Sequence, residues 1–143
     1  MKQWQEIKSE FETDGTLRDI YIFEGDVELW DSFLKLISSS EYRTEFNHGE
    51  VGMSLPLSFA QIKVLQETDP TTLFVWVGEN IQVNCHFFIE TEIELDVSPH
   101  DIGSEEAFHE LVSFLSWLSS SLNRKVCLTH EGSPDMKIIE MGQ

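Results

Sequence analysis

Residues 73–89 restrict the fold more tightly than any other part of the chain. Leu73 to Val77 is an unbroken apolar run, Gly78-Glu79-Asn80 follows, and a second strand-like run extends from Ile81 to Ile89. So short a link forces the two runs to lie antiparallel, because parallel neighbours need a long crossover. The arrangement recurs. Residues 42–47 and 50–55 flank His48-Gly49, and residues 4–12 and 17–23 flank Thr13-Asp14-Gly15-Thr16, where Asp-Gly is a hairpin signal. The apolar-rich stretch 81–97 exceeds the usual strand length of ~3–10 residues. A turn is therefore expected at Glu90-Thr91-Glu92, followed by a strand over 93–97.

Helical segments carry capping signals. Asp26 suits an N-cap, Glu28 follows in the first turn, and Trp30, Phe33, Leu34 and Ile37 recur at helical spacing over 27–39 before the serine run 38–40. Ser58 suits the start of a short helix burying Phe59, Ile62 and Leu65, which Asp69-Pro70 closes. Ser98-Pro99-His100-Asp101 reads as a cap with proline in the first turn. Ser104, with Glu105 and Glu106, opens the longest helix, to about Leu122, with Asn123-Arg124-Lys125 at its C-terminus. A strand over 126–130, a turn at 132–135 and a short strand over 136–141 complete the chain. Strands cluster in hairpins and do not alternate with helices. The fold expected is α+β, a mainly antiparallel sheet of consecutive hairpins packed by two longer helices and one short one. The length suits a single domain, 1–143.

Two strands are apolar on both faces. Ile20 and Ile22 alternate with Tyr21 and Phe23, and Phe74 and Trp76 alternate with Leu73, Val75 and Val77. A sheet with one wet face alternates apolar with polar. The second face is thus expected to be covered, by the helices or by a partner or second copy. In the helix over 104–122, Phe108, Leu111, Val112, Leu115, Leu118 and Leu122 form a stripe that Phe114 and Trp117 widen beyond the usual ~100°. Trp117 is expected either to lie flat at the edge of the core, since apolar surface is common on monomers, or to meet a second element or a partner.

Charge bears most directly on function. The chain has 26 Asp and Glu against 9 Lys and Arg, a formal net charge of −17. Nucleic acid is excluded as a direct partner, since phosphate binding needs clustered cations. With aromatics at 11% the chain is not a disordered acidic tail. Residues 64–123 contain no Lys or Arg and 11 acids. The plain account is solubility; the functional account is a negative field that steers a cationic ligand. Within that stretch Glu90, Glu92, Glu94 and Asp96 alternate. In one continuous strand all four would share a face, whereas a turn at 90–92 leaves only Glu94 and Asp96 together.

Reactive side chains do not assemble into a motif. Cys85-His86 and Cys127 with His130 supply zinc-ligand chemistry, but neighbours in a strand point to opposite faces and the structural zinc spacing is absent. A thiol nucleophile with a histidine base lacks a local signature. The carboxylates do not form a calcium loop. No phosphate-binding glycine motif, nucleophile elbow or zinc-protease motif occurs, so no catalytic residue, metal or cofactor is assigned. The start of the chain has no apolar signal core, no run is long enough to span a membrane, and two thiols suit a reduced cytoplasmic protein.

The reading these features favour is a non-enzymatic domain that captures a basic protein or peptide. Either an immunity-type inhibitor of a basic toxin or a small chaperone of a secreted protein fits the size and acidity. Partner-binding candidates are Glu90, Glu92, Glu94, Asp96, Trp76 and Trp117, and a homodimer is compatible with the aromatic second face. The alternative is a small-molecule or metal-assisted enzyme using Cys85, His86, Glu94, Asp96 and His130. That reading requires at least two of these side chains to meet in a cleft.

Overall fold

The computed structural model describes residues 2–142. In chain order the elements are α1 (Trp4–Ile7), a 3-10 turn at Lys8–Phe11, β1 (Arg18–Ile22), α2 (Val27–Ser39), β2 (Arg43–His48), β3 (Val51–Met53), α3 (Phe59–Leu65), β4 (Thr71–Val77), β5 (Ile81–Cys85), β6 (Ile93–Val97), a 3-10 turn at Pro99–Asp101, α4 (Glu105–Leu122), β7 (Val126–His130) and β8 (Ser133–Met141). The strands form one sheet of order β3-β2-β4-β5-β6-β1-β7-β8. Every neighbouring pair is antiparallel. The fold is α+β, as the hairpin pattern predicts.

Strand parity divides the sheet into two unlike faces. Ile20, Ile22, Phe46, Leu73, Val75, Val77, Ile81, Val83, Cys85, Ile93, Leu95, Val97, Val126 and Leu128 enter one core cluster. The same cluster takes in Trp30, Phe33 and Leu34 of α2, Phe59 and Ile62 of α3, Phe108, Leu111, Phe114 and Leu115 of α4, and Ile7 of α1. All the helices therefore lie on one side. Each longer helix begins as its cap residue dictates: Asp26 accepts from Leu29 N–H and Ser104 from Ala107 N–H. Asn123 closes α4 in the left-handed region at φ 54°, a conformation asparagine tolerates.

Four expectations need correction. Within the stretch 4–12, residues 4–11 are helical and do not pair with β1. Trp4, Ile7 and Phe11 sit at helical spacing, and Trp4 and Phe11 pack on Phe108 of α4. Asp14-Gly15 consequently lies in a loop and not in a hairpin turn. There Arg18, only 1% exposed, donates to the carbonyls of Glu10 (2.7 Å) and Glu12 (3.2 Å) and to Thr16 Oγ1 (2.9 Å). Second, the strand from Ile81 ends at Cys85. Phe87 adopts φ 58°, which a bulky residue seldom does, and its carbonyl accepts from Lys63 Nζ (2.8 Å) and Gln66 Nε2 (3.1 Å). Third, β8 starts at Ser133, with the turn at Glu131-Gly132 and a bulge in its pairing with β7. Fourth, among the described residues no helix covers the second face of the sheet.

Candidate functional site

The helix-free face carries the outward half of each strand. One row crosses most of the sheet through paired residues: Glu45, Phe74, Asn84, Asp96, Asp19, Thr129 and Lys137. The next rows place Trp76 beside Gln82 and Tyr21 between Glu94 and Cys127. Antiparallel register explains the gathering. Asp19 is far from Glu94 and Asp96 in the chain, yet β1 pairs with β6 so that Asp19 faces Asp96 and Tyr21 faces Glu94.

Polar contacts organise the centre of this face. Tyr21 Oη donates to Glu94 Oε1 at 2.8 Å and lies 3.2 Å from Asp19 Oδ2. Asp19 also accepts from Gly132 N–H at 2.9 Å, which folds the β7–β8 turn over it. Asn84 Nδ2 donates to Asp96 Oδ1 at 2.8 Å, Gln82 Nε2 donates to Asn84 Oδ1 at 2.8 Å, and His86 Nε2 is 3.5 Å from Asp96 Oδ2. Burial raises the Asp19 and Glu94 carboxyls above their usual range, and neighbouring carboxylates push the same way. His86 is raised chiefly by its contact with Asp96, against the effect of burial. Burial also pushes the Tyr21 hydroxyl far up, and the nearby carboxylates add to it, so it stays protonated and able to donate.

Aromatic rings flank the acids. Tyr21 stacks on Phe23 with centroids 4.9 Å apart, and Phe74 lies 6.1 Å from Trp76. The Arg43 guanidinium sits 4.0 Å over the Trp76 ring, showing that this ring accepts a planar cation. Beyond β5 the left-handed turn at Phe87 leaves Phe88 and Ile89 56% and 49% exposed, with Phe88 against the His86 ring.

The sequence-derived candidates are partly brought together. Glu94 and Asp96 share the open face with Trp76. Glu90 is exposed and Glu92 half-buried in the β5–β6 connection, off the strand row. Trp117 belongs to the helical layer, packed on Tyr42 and Phe114. Among the enzyme candidates, only His86 and Asp96 touch. Cys85 is sealed in the core, where burial pushes its thiol far up, while His130 lies on the core-side parity in contact with Glu10. Cys127 is on the open-face parity and donates to Glu140, and burial holds its thiol up at about 11. Among the described residues no group of three or more His, Cys, Asp or Glu side chains is placed to hold a metal ion. No helix among them is long and apolar enough to cross a membrane.

Sequence reasoning missed Asp19, Tyr21, Asn84 and Phe88. Asp19 and Tyr21 are four residues or fewer from Arg18 and Phe23 in an apolar strand, and nothing local marks them as partners of 94 and 96. The signal for Phe88 was present: three apolar residues, 87–89, immediately after a strand with clean alternation. Comparisons with protein-family models, with curated proteins and with solved structures find no match to this chain.

Proposed function

We propose that the helix-free sheet face docks a basic protein, with Asp19, Glu94 and Asp96 as its anionic centre and Phe74, Trp76 and Phe88 as its apolar anchors. One observation carries this reading. Three carboxylates from two paired strands converge on the helix-free face, Glu94 half-buried at its surface and Asp19 and Asp96 only 6% and 9% exposed beneath it, and among the described residues neither Lys nor Arg lies within ion-pairing distance of any of them. Carboxylates held together at the expense of mutual repulsion gain when a cation arrives. Aromatic side chains beside a charged centre are the usual composition of interface hot spots. The breadth of the face, spanning most of the strands, supports a folded partner more than a single extended segment. An immunity-type inhibitor thus fits better than a chaperone. Cys85 and Cys127 lie on opposite faces and three strands apart, roughly 14 Å at ~4.8 Å per strand. They cannot bridge, which supports a reducing compartment such as the cytoplasm.

The test compares two variants of equal charge. The E94Q/D96N pair neutralises the face, and E105Q/E106Q neutralises two exposed acids at the start of α4. Binding of an arginine-rich model peptide at low salt is read by calorimetry. The first pair is expected to weaken binding about tenfold or more, the scale of losing desolvated charge contacts. The second should change it far less. Equal losses in both would mean that the overall field, and not this face, attracts the peptide.

A further inference from the structure

The opposite end of the molecule has the reverse chemistry. Residues 51–66 contain no Asp or Glu, in a chain with 26 of them, and Lys63 is their one cation. Its ammonium is committed to the Phe87 and Phe88 carbonyls, 2.8 Å from each. In this stretch Val51, Met53, Leu57 and Val64 are 66%, 42%, 45% and 63% exposed. Met53, Leu57 and Val64 line a shallow hollow of about 620 Å³. Beside it runs β3, the terminal strand of the sheet, hydrogen-bonded to β2 on one side only. Natural sheet edges are commonly guarded by lysine, proline or a covering element, and β3 has only its short length.

We propose that this β3–α3 face seats a second copy of the chain about a two-fold axis. Charge selects the occupant. Two chains of net charge −17 repel where their carboxylates meet, so they associate most closely where carboxylates are sparse, as over residues 51–66, which Glu50 flanks at the β2–β3 turn. The open sheet face, with Asp19, Glu94 and Asp96, is unsuited to this. The edge strand is suited to itself: antiparallel pairing centred on Gly52 sets Val51 of one protomer opposite Met53 of the other. In β3 both side chains project to the α3 side, because Met53 pairs with the core residue Phe46 and Val51 is two residues away. The exposed Val64 and Leu57 of each copy then extend the apolar contact beyond the strands. A two-fold contact of this isologous kind closes on itself and needs no other partner.

Sedimentation velocity on the full chain tests the proposal over a wide concentration range at low and high salt. A concentration-dependent dimer is expected, tightened by salt because screening relieves the long-range repulsion. V64E and M53E each bring a carboxylate from both protomers into this apolar contact and should weaken dimerisation by about a hundredfold or more, as an unpaired charge buried in an interface does. M136E adds the same charge at an exposed position in β8, at the other end of the sheet, and should leave the dimer intact. Val64 lies outside the core, and unchanged thermal unfolding of V64E would show that the fold persists. A parent chain that stays monomeric at every concentration in high salt overturns the proposal. So does a dimer that V64E leaves intact.

Discussion

Tyr21 is the residue on which the open face turns. Its hydroxyl proton serves Glu94, while Asp19 stands against the same oxygen with its own carboxyl raised. A proton on Asp19 completes a chain from Asp19 through Tyr21 to Glu94. The sign of the resulting pH dependence follows from linkage. With folded values above the unfolded ones, Asp19, Glu94 and His86 all bind more protons in the native state. Each therefore contributes stability on the acid side that is lost as pH rises through its folded value. Asp14, held at about 2 mainly by Thr16, and Glu140, lowered chiefly by Lys137, act oppositely: their contribution is lost as pH falls through their folded values. Stability is thus expected to rise on mild acidification from neutral pH and to fall again in strong acid. D19N/E94Q should flatten the neutral-to-mildly-acid slope, as read by thermal unfolding against pH.

At the scale of elements, the N-terminal helical segment is held by one buried cation. Arg18 projects from β1 to the core side and spends its donors on the carbonyls of Glu10, Glu12 and Leu17 and on the Thr16 hydroxyl. Replacing it leaves buried carbonyls without partners, at about 1–3 kcal/mol for each unsatisfied group. R18M is expected to destabilise the fold by about 2–4 kcal/mol in chemical denaturation, and to raise protease cleavage within residues 4–16 first. This segment is also where sequence and structure part. An Asp-Gly dipeptide between apolar-rich runs is a hairpin signal, but Trp4, Ile7 and Phe11 keep helical spacing and find Phe108. Tertiary packing overrides the turn signal. The elements that were legible, β4–β5, α2 and α4, each combine uninterrupted periodicity with a cap or turn residue at the boundary. The end of β5 was not legible, because the contacts that hold Phe87 at positive φ come from Lys63 and Gln66 of a different element.

Across the whole molecule, charge and apolar surface are segregated. Among the described residues, only Asp14 and Glu140 have a Lys or Arg within 4.0 Å. Most of the net charge is therefore uncompensated at short range, and the compact state repels itself. Added salt should raise the unfolding temperature at neutral pH, measured with a neutral osmolyte as control for non-ionic effects. A flat response would show that the acids lie too far apart in solvent to interact. The cation-free stretch 64–123 shows how far charge reading reaches. It runs through β4, β5, β6 and α4, but its acids disperse to several surfaces, with Glu105, Glu106 and Glu110 near the Glu79 turn and only Glu94 and Asp96 on the open face.

The sequence alone determined the class of the fold, since short glycine turns between strand-like runs permit only antiparallel neighbours and the cap residues start the helices where they are seen. It also determined which side chains of β4, β5 and β6 share a face, because strand parity is a local property. The tertiary structure decided which strands are neighbours. Only the insertion of β1 between β6 and β7 brings Asp19 and Tyr21 to Glu94 and Asp96. Only the placement of every described helix on one side leaves that polar face free of a helical layer. Periodicity says which way a side chain points relative to its own strand; what stands opposite is set by long-range pairing.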